Sequence, residues 1–193
     1  MEERYSYVEG AEQPIAMHPK KFSLWLFMVT VVMVFAGLTS AYIVRQSEGN
    51  WLEFELPAVF YYTSGIIILS SIFLHWAYLS AKKNELVQLR IGMSIATFLG
   101  LVFLVGQWYS FVALVDMDVY LVGNPSGSFL YIFTGLHALH LVSGVIFLII
   151  VLISSFRYKV HSQSMVPMEM CVTYWHFLGG LWLYLFTFML LNH

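Results

Sequence analysis

Apolar and polar positions alternate along this chain in long blocks, not at the short periods of a soluble helix or strand. Apolar runs cover roughly Phe22 to Val44, Pro57 to Ala81, Gly92 to Val115, Ser128 to Phe156 and Cys171 to Leu191. Each reaches the ~20 residues a helix needs to cross about 30 Å of hydrocarbon. The pattern therefore predicts an all-α, polytopic membrane protein of five transmembrane helices in one bundle. Short connections make sequential helices antiparallel. The bundle takes residues 20–193, behind a polar tail over 1–19 that carries Glu2, Glu3, Glu9 and Glu12 and does not read as a signal peptide. His18-Pro19 ends the tail, and Lys20-Lys21 anchors the entry to the membrane.

Composition agrees: 60% of the 193 residues are hydrophobic, 10% are charged, and mean hydropathy is +0.76. Without a basic stripe, nucleic acid is not a partner. The lone Cys171 excludes an internal disulfide and reads as apolar filler. Charge placement sets the orientation. With the amino terminus inside, Arg4, Lys20, Lys21, Lys82, Lys83, Arg90, Arg157 and Lys159 fall on the inner side, and only Arg45 falls outside. Five crossings then put the carboxyl terminus outside. Gly135, Gly144 and Ser143 in helix four, with Gly179 and Gly180 in helix five, are expected at close helix contacts. Trp25, Trp51, Tyr61, Tyr62, Trp108 and Tyr109 read as interfacial anchors.

Chemistry narrows to a few residues. His137 and His140 lie in a stretch, Ser128 to Ile153, free of Asp, Glu, Lys and Arg. Ionisable groups in such a place are costly and serve a purpose. Their i, i+3 spacing predicts one shared face. Paired across helices with His176 or His75, either is a candidate axial ligand of a bis-histidine haem, although His176 lies near the inner end of its run. Alternatively the imidazoles are uncharged, the cheaper form in hydrocarbon, and hydrogen-bond between helices. Proton movement is a third use. It wants buried carboxylates, and the chain offers only Glu55 and Glu169 at run edges, where each suits a helix amino terminus. Spacing alone leaves all three open. Nucleophile motifs, phosphate loops and a zinc-type His-Glu-x-x-His do not occur.

Read in order, the segments resemble subunit III of the haem-copper terminal oxidases. Helix one runs Lys21-Phe-Ser-Leu-Trp25 through Phe35-Ala-Gly37 to Ala41-Tyr42. Glu55-Leu-Pro57 precedes a run with Ser70-Ser71, and Leu99-Gly to Gly106-Gln107 follows in helix three. The strongest matches are Thr134-Gly-Leu-His137-Ala-Leu-His140, with Gly144 beyond, and Glu169 ahead of Tyr174-Trp175-His176-Phe177 and Trp182. The likeness spans Lys20 to Leu191 and points to the five-helix form.

That resemblance implies a non-catalytic subunit of a bacterial aa3-type cytochrome c oxidase. Such a subunit would carry no cofactor, while haem a and copper sit in partner subunits I and II. It further implies two helices splayed from three around a lipid-filled cleft, stabilisation of the core, and support of proton uptake. Arg157 and His161 match positions resembling lipid-phosphate contacts. His137, His140, Glu169 and His176 match a polar framework between helices. Two departures remove buried charge: Val31 stands where many relatives carry an acid in helix one, and Gly179 stands where some have Asp. Subunit III of a quinol oxidase or of a nitric oxide reductase-type complex is the near alternative. A haem-bearing anchor of a quinone-linked dehydrogenase is the distant one. The electron donor and membership of a larger respiratory assembly stay open.

Overall fold

The structure, a computed structural model, describes residues 18–52, 56–157 and 165–192. Among these residues there are five α-helices and no strand: α1 Pro19–Ser47, α2 Val59–Lys82, α3 Leu86–Asp116, α4 Pro125–Phe156 and α5 Val166–Leu191. All five are long and apolar enough to cross a membrane. Most extend beyond the apolar runs, because a chain approaching hydrocarbon must already have its amides bonded within the helix. Local chemistry marks two of the starts. Pro19 opens α1 while His18 Nδ1 accepts the Lys20 amide at 3.3 Å, and Pro125 opens α4 while Asn124 Oδ1 accepts the Ser126 amide at 2.9 Å.

The helices do not divide as two against three. Instead α2, α3, α4 and α5 close into a ring, each packed on the next, and α1 lies outside it against α4 and α5 alone. The tight turn at Lys83–Glu85 explains why α2 and α3 stay together along their lengths. Asn84 takes a left-handed conformation there (φ 59°), and the Glu85 amide returns to the Ser80 carbonyl at 3.0 Å. With α1 touching neither α2 nor α3 among the described residues, a furrow stays open between α1 and α2, floored by α5.

Small residues do set the closest approaches, but mainly in α3. A Cβ on Gly106 would meet Thr63 Cγ2 of α2 at 2.5 Å, and one on Gly92 would meet Ala77 Cβ at 2.9 Å. Gly100 of α3 and Gly144 of α4 form a notch for Trp175 of α5: a Cβ would lie 2.7 Å from the indole in the first and 3.3 Å in the second. Gly135 and Gly180 face open space, contrary to expectation, because their sides of the helices meet no neighbour.

Two tryptophans, two turns apart on α5, fill the middle of the ring. Trp175 is 1% exposed and donates its indole N–H to Ser70 Oγ of α2 at 3.1 Å, while Ser70 itself donates to the Ala96 carbonyl of α3 at 2.9 Å. Trp182 is fully buried and donates to Ser64 Oγ of α2 at 2.9 Å. Each indole thus combines a large apolar contact with a satisfied polar edge. Outside the ring, Trp51 is not a plain interfacial anchor, since its ring packs edge-on to Tyr42 at 4.7 Å in an aromatic cluster with Phe129, Phe133 and Phe188. Trp25, Tyr62, Trp108 and Tyr109 are exposed, as an anchoring role requires.

Truncating a ring tryptophan removes both packing and a hydrogen bond. Trp182→Ala is expected to cost about 3–5 kcal/mol, read as a lower unfolding midpoint in detergent. Trp108→Ala, on the exposed side of α3, should shift it little.

Candidate functional site

Charge separates to the two ends of the bundle. The end where α1, α3 and α5 begin and α2 and α4 finish carries Lys20, Lys21, Lys82, Lys83, Arg90 and Arg157. The opposite end carries Arg45, paired with Glu48 at 3.1 Å, together with Asp116 and Asp118. At the basic end the groups are built into the fold. Lys21 of α1 is ion-paired with Glu169 in the first turn of α5. Lys82 lies over the Tyr78 ring at 4.5 Å, and Arg90 of α3 lies over the Phe156 ring of α4 at 5.4 Å. Glu169 therefore combines the favourable field of a helix amino terminus with a clamp on α1. An opening of about 420 Å³ between α1, α2 and α5, lined by Lys21, Trp25, Tyr78, Glu169 and Thr173, leads in from this end. Arg157 is exposed at the carboxyl end of α4, and His161 lies outside the described residues.

The histidine pair does not share one environment. His137 is fully buried inside the ring, stacked on Trp182 at 5.1 Å and edge-on to Phe103 at 6.2 Å. Neither of its nitrogens has a hydrogen-bond partner among the described residues. His140 turns toward α1 instead, beside Phe27 and Phe35 at 6.2 and 6.0 Å, and its Nδ1 lies 2.7 Å from the Leu136 carbonyl of its own helix. The expected hydrogen bonds between helices are thus not made by these imidazoles. An i, i+3 step turns a side chain by about 60° about the axis, and here that suffices to put one in the ring and one in the α1 seam.

Other residues form the polar links. Tyr174 of α5 shares a hydrogen bond of 2.7 Å with Ser143 of α4. Tyr184 of α5 donates to Thr39 of α1 at 3.2 Å, and Tyr42 and Gln46 of α1 donate to the Asn192 carbonyl at 2.8 and 3.0 Å. With Lys21–Glu169 at one end and Asn192 at the other, α1 is fastened at both ends. Val31 is buried in α1 and leaves no acid in its place.

His176 of α5 does meet a histidine across helices. Its ring lies 5.8 Å from that of His75 of α2, both near the basic end of their helices. Ring contacts of His137 and His140 go to aromatics, not to His75 or His176, so the cross-helix pairing of a bis-histidine haem is not formed by them. No group of three or more His, Cys, Asp or Glu gathers among the described residues.

Fold and site together define a polytopic helical membrane subunit whose buried polar groups tie helices to one another. The sequence matches the family model "Cytochrome c oxidase subunit III" over residues 3–192. It is 31% identical to a cytochrome c oxidase subunit 3 of Synechocystis sp., covering 96% of this chain and 82% of the relative. A cytochrome c oxidase subunit 3 of Corynebacterium diphtheriae is 28% identical over 83% of this chain and 82% of its own. A cytochrome bo(3) ubiquinol oxidase subunit 3 of Buchnera aphidicola is 27% identical over 90% and 94%. The chain belongs to the cytochrome c oxidase subunit III family. Five spans and bacterial relatives make it a multi-pass protein of the bacterial inner membrane.

The α1 clamp is testable by charge reversal. Lys21→Glu and Glu169→Lys are each expected to lower stability, by about 0.2–1 kcal/mol for a pair only partly buried, read as a lower unfolding midpoint. The double reversal should recover most of the loss; additive losses would remove the pair from the account.

Proposed function

We propose that this chain is the non-catalytic subunit III of a bacterial aa3-type cytochrome c oxidase, docked on subunits I and II. Those subunits would hold the haem a and copper that reduce oxygen to water. The observation that carries the reading is where the polar side chains of α5 go. Trp175, Trp182, Tyr174, Tyr184 and Glu169 are engaged with Ser70, Ser64, Ser143, Thr39 and Lys21 of neighbouring helices. They hold a bundle together and do not converge on a reacting centre. In this reading the amino-terminal, basic end faces the cell interior, as the distribution of Lys and Arg favours. From there the subunit stabilises the catalytic core and supports its proton uptake. Arg157 and His161 hold lipid phosphate at that surface, where cations suit anionic headgroups. The bundle of residues 20–193 acts as one domain behind the polar tail.

Cytochrome c is the proposed donor. Quinol is the second reading, because a relative at 27% identity is named a ubiquinol oxidase subunit. Affinity purification through a tag on this chain should recover a haem a- and copper-containing core in equal amount, oxidising cytochrome c. Recovery of the chain alone with a stoichiometric b-type haem would overturn the proposal in favour of a dehydrogenase anchor. In the same preparation, Arg157→Ala with His161→Ala should lower tightly bound phospholipid; unchanged lipid would remove that role.

A further inference from the structure

The furrow between α1 and α2 contains a cavity of about 540 Å³ on its α2 side, walled by α2 and floored by α5. Its size lies within the range of small-molecule sites. Ile67, Ile72 and Leu183 make its sides apolar, while Gly179 and Gly180 leave its floor without side chains. Its polar groups are the facing imidazoles of His75 and His176, 5.8 Å apart, with Ser71 close by. Neither imidazole makes a hydrogen bond to another described residue, so their nitrogens are available to a third group. No Lys, Arg, Asp or Glu among the described residues lines the cavity. Lys82 on α2 and Glu169 on α5 each lie two turns nearer the basic end, about 10 Å away along the helix.

We propose that this cavity binds a neutral, ring-headed amphiphile of the quinone class, one of its oxygens shared between His75 and His176 and its apolar tail along the α5 glycines. The depth selects the head. A phosphate or carboxylate would leave its charge in hydrocarbon with Lys21 and Lys82 a short distance above, and would settle beside them instead. A divalent cation would meet two neutral ligands and no carboxylate, which does not balance its charge in an apolar groove. An imidazole can donate from one nitrogen and accept at the other, so the pair suits both a quinone carbonyl and a quinol hydroxyl. The cavity opens toward the lipid phase, in which such molecules dissolve.

The test is photolabelling of the protein in native membranes with a short-tailed azidoquinone, followed by peptide mapping of this chain. Label is expected on the α2 and α5 peptides that bear His75 and His176, displaced by decylubiquinone and not by oleate. Loss of two hydrogen bonds in His75→Leu/His176→Leu should reduce it roughly tenfold or more. Gly180→Leu provides the control for folding: a Cβ there meets nothing within 4 Å, so the helix accepts it while the side chain fills the cavity. It too should abolish the label in a normally assembled protein. Label spread over all lipid-facing helices, label displaced by oleate, or label undiminished in both variants would overturn the proposal.

Discussion

The fold depends on how two indoles of α5 are held by α2. Trp175 and Trp182 sit at the centre of the four-helix ring, where lipid offers no hydrophobic drive for helix association and contact shape must supply it. Each indole needs a partner for its N–H, and Ser70 and Ser64 supply one at matching steps along the antiparallel helix. That pairing fixes the register of α2 on α5. The glycines follow from it: Gly100 and Gly144 are the positions where α3 and α4 must lack a side chain for Trp175 to enter. His137 is then placed as a flat ring against Trp182, closing the stack between α4 and α5.

The position of α1 is a second consequence. Four helices satisfy one another, and the fifth docks on the outside through an aromatic seam and polar contacts at its two ends. This leaves the furrow between α1 and α2, the main departure from a closed bundle and the place where a lipid-soluble molecule can enter. In the proposed role such a subunit would contribute shape, stability and a bounded lipid environment to a larger machine.

Most of the architecture was legible in the sequence, because hydropathy blocks of this length have one physical solution in a membrane. Family membership was legible from Thr134-Gly-Leu-His137-Ala-Leu-His140 and from Glu169 with Tyr174-Trp175-His176-Phe177. The arrangement of the helices was less so. Apolar all round, they show no periodic face to say which neighbour each prefers, and α1 outside a ring of four was not foreseen. The roles of the histidines were misjudged for a related reason. Spacing gives direction about a helix axis, but not which neighbour lies in that direction. Lys21 and Glu169 were each read alone, as anchor and as helix-start carboxylate; their equal depth at the start of two parallel helices was the available sign that they pair. Of the serines that receive the indoles, Ser70 entered only as part of the family resemblance, and Ser64 carried no sequence signal beyond its place in an apolar run.

His137, the most deeply buried histidine among the described residues, serves packing and not chemistry. A phenylalanine keeps the ring stack on Trp182 while removing two nitrogens that have no partner among the described residues, a change expected to be neutral or stabilising. The decisive measurement is therefore haem content, oxygen consumption and unfolding midpoint of the assembled oxidase carrying His137→Phe. Haem and turnover should be unchanged, with a midpoint equal to or above that of the natural protein. Loss of haem absorbance, or of turnover in a complex that still assembles, would contradict the packing role.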